Sequence, residues 1–248
     1  MADVIDYKIY GEDMQLVEIE LDPQEGVRAE AGAMTYMEDG IEMETGTKGG
    51  FMKGLKRMVT GESFFITTFY NQGSGKSRVG FGAPYPGKII PIDLGQYNGR
   101  FICQKDSFLC AANGVDIEIE LTKKLGAGFF GGEGFILQRL QGDGLAFIHA
   151  GGTIIEKDLK HGETLRVDTG CIVGFESSVN YDIRFVGGFK NALFAKEGLF
   201  LAYLQGPGKV YLQSLPISRL AERLYASAGS SKEEGGAVGS LFNSFLGE

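Results

Sequence analysis

Apolar and charged residues alternate in several short runs of the chain. Val17, Ile19 and Leu21 are interleaved with Glu18 and Glu20, and the period of two returns at Ile41/Met43, Ile117/Ile119/Leu121 and Tyr181/Ile183/Phe185. Successive side chains of a β-strand point to opposite faces, so each run predicts a strand buried on one side and wet on the other. Between the runs stand turn-forming clusters such as YGED, LDPQEG, NQGSG, YPG, YNGR, QGDG and QGPG. Their spacing is often the roughly 8–12 residues expected of sandwiches and barrels. Helical periodicity is scarce, and the pattern predicts a mainly β fold.

The runs are also self-similar, which bears on architecture before any single motif does. Three segments begin with an alternating strand, pass through a glycine-rich stretch, and continue from a glutamate into an apolar strand ending in Gln-Gly-x-Gly. The first runs from IEMETG through GGFMKGL and GESFFITTFY to Gln72-Gly73-Ser74-Gly75. The second runs from IEIELT through GAGFFGG and EGFILQRL to Gln141-Gly142-Asp143-Gly144, and the third from YDIRFV through GGFKNAL and EGLFLAYL to Gln205-Gly206-Pro207-Gly208. The second and third align without a gap at an offset of 64 residues, matching Ile119 with Ile183, Glu133 with Glu197 and Gln141 with Gln205. The first is looser, with extra residues before Glu62 and before Gln72. Upstream, VRAEAGAM corresponds to LRVDTGCI, with SFLCAAN a weaker middle counterpart. The expected division is three β units at 1–80, 81–150 and 151–215, followed by a terminal segment at 216–248.

Each Gln-Gly-x-Gly reads as a hairpin turn in which glycine supplies positive φ. Glu62, Glu133 and Glu197 either cap their own glycine-rich turns or gather into a shared carboxylate site on a pseudo-threefold axis; both readings stay open. After Pro216, ISRLAERLYASA places Ile217, Leu220, Leu224 and Ala228 on one helical face, an amphipathic terminal helix. GSSKEEGGAVGS then has the composition of a flexible linker, and the chain ends in the apolar Leu241, Phe242, Phe245 and Leu246.

Composition narrows the function classes. The 248 residues include 39 Gly and only 6 Pro, a density that suits tight turns and bulges. A net charge of −8 and the absence of any basic run oppose binding to a phosphate backbone, which needs clustered Lys and Arg. Cys103, Cys110 and Cys171 are an odd number in apolar surroundings, read as reduced core residues. The N-terminal MADVIDYKIY has neither a signal nor a transit pattern, and apolar runs of about six residues are far short of the roughly 20 that span a bilayer. The expected location is cytoplasmic, with no integral membrane segment.

The motifs that imitate catalytic sites fail in context. Gly126, Gly128 and Gly131 spell G-x-G-x-x-G, but a short strand and a turn follow where a dinucleotide site needs a helix. Gly75-Lys76-Ser77 resembles the end of a phosphate loop, yet Tyr70 stands where its first glycine belongs; Lys76 reads as a solvated turn residue. Two histidines, His149 and His161, are too few for a three-histidine metal site. No Cys-x-x-Cys and no G-x-S-x-G is present. In GGFMKGLKRMV, Lys53, Lys56 and Arg57 oppose Phe51, Met52, Leu55 and Met58; the stretch is a connector packing on the sheet or a contact for an anionic membrane or partner.

The combination of RAEAGAMTYM, GGFMKGLKRMVTGESFF, the Gln-Gly-x-Gly turns and a tail ending in LFNSFLG resembles the altered-inheritance-of-mitochondria family and its bacterial relatives of unknown function. The resemblance spans nearly the whole chain and is most specific from Ala29 to Phe65. It implies a fold like that of the tryptophan RNA-binding attenuation protein, a short double-stranded β-helix, repeated three times about a pseudo-threefold axis. It also implies an association with mitochondrial inner-membrane architecture in eukaryotic members, and it brings no catalytic residues.

The functional expectation is a non-enzymatic, homo-oligomeric scaffold or interaction protein with no cofactor, no metal and no nucleic-acid partner. Leu241, Phe242, Phe245 and Leu246 are its anchors for a protein partner. Two alternatives are a small-molecule-binding β module and a peripheral membrane-associated organiser acting through Lys53, Lys56 and Arg57.

Overall fold

The structure is a computed structural model and describes residues 1–30, 32–45, 66–123, 135–186 and 200–229. The first strands are β1 (Asp6–Tyr10), β2 (Leu16–Leu21), β3 (Gly26–Glu30), β4 (Met34–Met37), β5 (Ile41–Thr45), β6 (Ile66–Asn71) and β7 (Ser77–Gly82). They are followed by β8 (Gly87–Asp93), β9 (Arg100–Gln104), β10 (Phe108–Ala112), β11 (Asp116–Lys123), β12 (Phe135–Gln141) and β13 (Leu145–Gly151). The last are β14 (Ile154–Leu159), β15 (Thr164–Asp168), β16 (Ile172–Glu176), β17 (Asn180–Phe185), β18 (Phe200–Gln205) and β19 (Gly208–Gln213), before the helix α1 (Ile217–Gly229).

The strands form four antiparallel sheets, ordered β1-β2-β7-β4, β5-β6-β3-β10-β13-β8, β11-β12-β9-β16-β19-β14 and β15-β18-β17. Within them, β2-β7-β4, β8-β13-β10 and β14-β19-β16 take the same places in chain order, as do β5-β6-β3, β11-β12-β9 and β17-β18-β15. Two further pairings extend the six-stranded sheets. In one, Val27, Arg28 and Ala29 of β3 face Ala112, Ala111 and Cys110 of β10. In the other, Phe101, Ile102 and Cys103 of β9 face Glu176, Phe175 and Gly174 of β16. Each of β4, β10 and β16 carries a register shift near its start, at Met34/Tyr36, Phe108/Cys110 and Ile172/Gly174. A shift of this kind bends the strand and increases its twist.

Period two is realised where the strand lies over the core. Val17, Ile19 and Leu21 are fully buried and join Phe81, Phe101, Phe108 and Phe147 in the larger apolar cluster. A second cluster gathers Phe135, Leu137, Phe175, Ile183 and Leu204. At two edge strands the pattern overstates burial: Met43 on β5 is 48% exposed and Phe185 on β17 is 58% exposed, although Ile41 and Ile183 on the same strands are buried.

The Gln-Gly-x-Gly turns do not close hairpins. β6 and β7 lie in different sheets, as do β12 and β13, and β18 and β19, so each turn carries the chain from one sheet to another. Positive φ is confined to one glycine in each of the later two turns, Gly142 and Gly208. Local turn chemistry sets where the chain bends, whereas the partner of each strand is decided by distant residues.

Candidate functional site

A cavity of about 960 Å³ lies under α1. Its floor is built where strands change direction: the chain turns from β3 to β4 at Glu30–Ala33, and a single 3-10 turn at Lys105–Ser107 joins β9 to β10. These turns contribute Glu30, Ala33 and Asp106, β10 adds Leu109, and the segment leaving β7 adds Ala83 and Tyr85. Helix α1 supplies the roof through Ile217, Ser218, Ala221, Glu222 and Tyr225.

This wall is rotated from the expected stripe of Ile217, Leu220, Leu224 and Ala228; Leu224 is 62% exposed, and the side chain of Ala228 lies outside the described residues. The rotation has a visible cause. Arg219 Nη2 donates to Asp168 Oδ2 at 2.7 Å, and buried Pro216 packs near Gly170, so the first turn of α1 is held against the end of β15. Asp168 also accepts the Gly170 N–H at 3.0 Å, which orients its carboxylate for the arginine.

Behind the cavity wall, the ring of Tyr85 meets the ring of His149 edge-on, with centroids 4.4 Å apart. His149 is 1% exposed, and neither ring nitrogen makes a hydrogen bond of ordinary geometry. Burial lowers its pKa to about 4, with the nearby Tyr85 backbone pulling weakly the other way, so the imidazole is neutral at pH 7. Gly87 is required beside it, because a Cβ there would meet His149 Nε2 at 2.8 Å and fall on the Ala150 carbonyl. The corresponding place on β19 holds Gln213, since Ile148 faces Phe108 as Leu212 faces Ile172. Gln213 is fully engaged: its Oε1 accepts from Gly151 N at 2.8 Å and its Nε2 donates to Gly170 O at 3.0 Å. Two buried polar residues at matching positions thus differ, one satisfied and one not.

Burial pushes the Tyr85 phenol well above its ordinary range, and the Asp106 and Glu30 carboxylates add to it. Burial also raises the Cys103 and Cys110 thiols, and all three cysteines are free. Among the described residues no three His, Cys, Asp or Glu side chains gather to hold a metal ion.

A second polar patch covers the outer face of β2 and β7. Lys76 Nζ lies 2.8 Å from Glu20, 3.4 Å from Asp6 and 3.6 Å from Asp22, and hydrogen bonds to Glu20 and Asp6 raise its pKa. The lysine of the incomplete phosphate-loop motif is thus an exposed turn residue with carboxylates beside it. Arg78 Nη2 is 2.6 Å from Glu20, and Tyr36 donates a short hydrogen bond to Glu18. Desolvation first, then that bond, pushes the Tyr36 phenol up to about 12.

Of the residues singled out from sequence, Leu241, Phe242, Phe245, Leu246, Lys53, Lys56 and Arg57 lie outside the described residues. So do Glu62, Glu133, Glu197 and the Gly126, Gly128 and Gly131 stretch. Sequence reasoning passed over Tyr85 and the cavity. The available signal was His149 itself, a lone imidazole within the apolar run AFIHAG.

Fold and site together define a mainly β protein of antiparallel sheets with a helix-covered cavity, and among the described residues no helix is long and apolar enough to cross a membrane. Residues 7–215 match the family described as mitochondrial biogenesis AIM24, and the chain belongs to that family. It is 29% identical over 218 residues to an uncharacterized protein of Streptococcus pyogenes serotype M6, covering 84% of this chain and 85% of that one. It is also similar to a Streptococcus pyogenes protein of known crystal structure, with a TM-score of 0.73 and 25% identity over 90% of this chain and 99% of that one.

Proposed function

We propose that the chain is a non-enzymatic scaffold or interaction protein made of three consecutive six-stranded units, β2–β7, β8–β13 and β14–β19, set about a pseudo-threefold axis. The observation that carries this reading is the pairing between units: the second strand of one unit binds the third strand of the next, β3 to β10 and β9 to β16. A body assembled by sheet addition is rigid, because each seam is a ladder of main-chain hydrogen bonds over a packed face. Among the described residues its outer strands β4 and β15 each end a sheet, the kind of edge to which a further strand can add. Sedimentation of the full chain across a wide concentration range tests the reading. A complex whose mass is a multiple of 26.8 kDa supports it, and a monomer at every concentration refutes it.

A second reading, a small-molecule-binding β module, is favoured by the cavity of about 960 Å³, which is within the size range of ligand pockets. A thermal-shift screen against a metabolite panel tests it, since a ligand that binds the folded state alone raises the melting temperature by mass action.

A further inference from the structure

We propose that the cavity under α1 binds a small organic amine, with its ammonium group held among Glu30, Asp106 and Glu222 and its apolar body along Pro84, Leu109 and Ile217. The proposal rests on the small-molecule reading and gives the ligand its chemical class.

The polarity of the walls carries the assignment. Glu30 stands at the end of β3, Asp106 in the turn between β9 and β10, and Glu222 on α1, so carboxylates come from both floor and roof. Among the described lining residues there is no Lys, Arg or His. The other polar side chains there are the hydroxyls of Thr35, Tyr85, Ser218 and Tyr225, which accept a hydrogen bond as readily as they donate one. Every polar side chain of the wall therefore accepts, and none only donates. Its complement carries positive charge and donates without accepting, which describes an ammonium. A cleft lined by one sign of charge also concentrates counter-ions of the other.

The carboxylates are placed for this role. Asp106 Oδ2 accepts from Gln104 Nε2 at 3.0 Å, a bond that orients the group and leaves its charge in place. Arg219 of α1 is bonded to Asp168 at 2.7 Å and does not line the cavity. Tyr85 is 5% exposed, yet its hydroxyl makes no hydrogen bond with any described residue. Burial first, then Asp106 and Glu30, raise the pKa of that phenol, which puts the hydroxyl and two carboxylates in one part of the cavity.

The spread of the charges selects an organic cation over a metal ion. Among the described residues no three His, Cys, Asp or Glu gather to hold a metal, so a compact ion cannot touch all three carboxylates at once. An amine on an apolar skeleton meets the carboxylates through its N–H groups and covers Pro84, Leu109 and Ile217 with carbon. The rings of Tyr85 and Tyr225 add attraction for a cation that lies over them.

The test uses the full chain and three probes of matched shape, phenethylamine, 2-phenylethanol and 3-phenylpropanoate, titrated at pH 7 and followed by amide NMR. The expected result is that phenethylamine shifts the amides of Ala33, Ala83 and Ala221 and binds about tenfold more tightly than either other probe. Asp106→Asn and Glu222→Gln, the second on the helix surface and harmless to folding, should each weaken it about threefold. Equal or tighter binding at those amides by the alcohol or the carboxylate overturns the amine and leaves the small-molecule reading. Binding of phenethylamine that misses those amides and ignores both variants also overturns the proposal, since an acidic surface alone attracts amines. If none of the three shifts those amides the proposal falls, and the metabolite screen then decides the small-molecule reading by itself.

Discussion

Lowering the pH should destabilise this protein through His149, and the size of the effect can be worked out. The imidazole binds a proton near pH 6.5 in the open chain and near pH 4 in the fold, because burial against Tyr85 and Gly87 strips its water and the Tyr85 backbone offsets this only in part. A folded-state pKa below the unfolded one means that the unfolded state binds protons more readily between those values. The stability associated with the neutral ring is fully present above about pH 6.5 and drains away as pH falls towards 4. Each pH unit in that window costs about 1.4 kcal/mol per proton, so the full loss is at most about 3.4 kcal/mol. Relaxation of the site reduces it. Glu20 and Asp143, whose pKa values are held low by Lys76 and by the Ala2 N–H respectively, also lose stabilisation in acid, so the wild type alone cannot isolate the ring. The informative quantity is the difference between wild type and His149→Gln, with His149→Leu as a second reference, from urea unfolding at pH 7, 5.5 and 4.5. The difference should narrow by about 2–3 kcal/mol between pH 7 and 4.5. Parallel curves for wild type and both variants would refute the reasoning.

Phe101→Ala or Phe147→Ala, each at a fully buried ring, should cost about 3–5 kcal/mol by denaturant unfolding. Gly87→Ala should fail to accumulate as folded protein, since its Cβ has no space beside the Ala150 carbonyl; a normal melting temperature would contradict that packing. Arg219→Ala should speed amide exchange throughout α1 while leaving the β-sheets protected, because its bond to Asp168 fixes the helix. Truncation after Gly229 removes Leu241, Phe242, Phe245 and Leu246, and should abolish capture of any partner that docks on the tail without unfolding the sheets.

Much of the strand content was legible because half-buried strands print a period of two, as at Val17, Ile19 and Leu21. The same rule misjudged Met43 and Phe185, since alternation reports which side a residue faces and not whether anything covers that side. The Gln-Gly-x-Gly segments were legible as turns but not as passages between sheets, for turn residues fix a change of direction while partners are chosen by packing far along the chain. The cavity was hidden for a related reason: Glu30, Tyr85, Asp106 and Tyr225 are scattered in sequence, and only the meeting of three chain reversals with α1 collects them. His149 is a lone polar residue in the apolar run AFIHAG, but the sequence reading weighed it only as one of two histidines, and its surroundings depend on Gly87 and Tyr85, which no local pattern ties to it.

Amide hydrogen exchange at the two seams, residues 27–29 with 110–112 and 101–103 with 174–176, tests most directly whether the three units form one body by sheet addition. Exchange at both seams as slow as at the pairing of β8 with β13 inside one unit is the predicted result. Exchange at either seam as fast as in the exposed turns would contradict a body built by pairing between units.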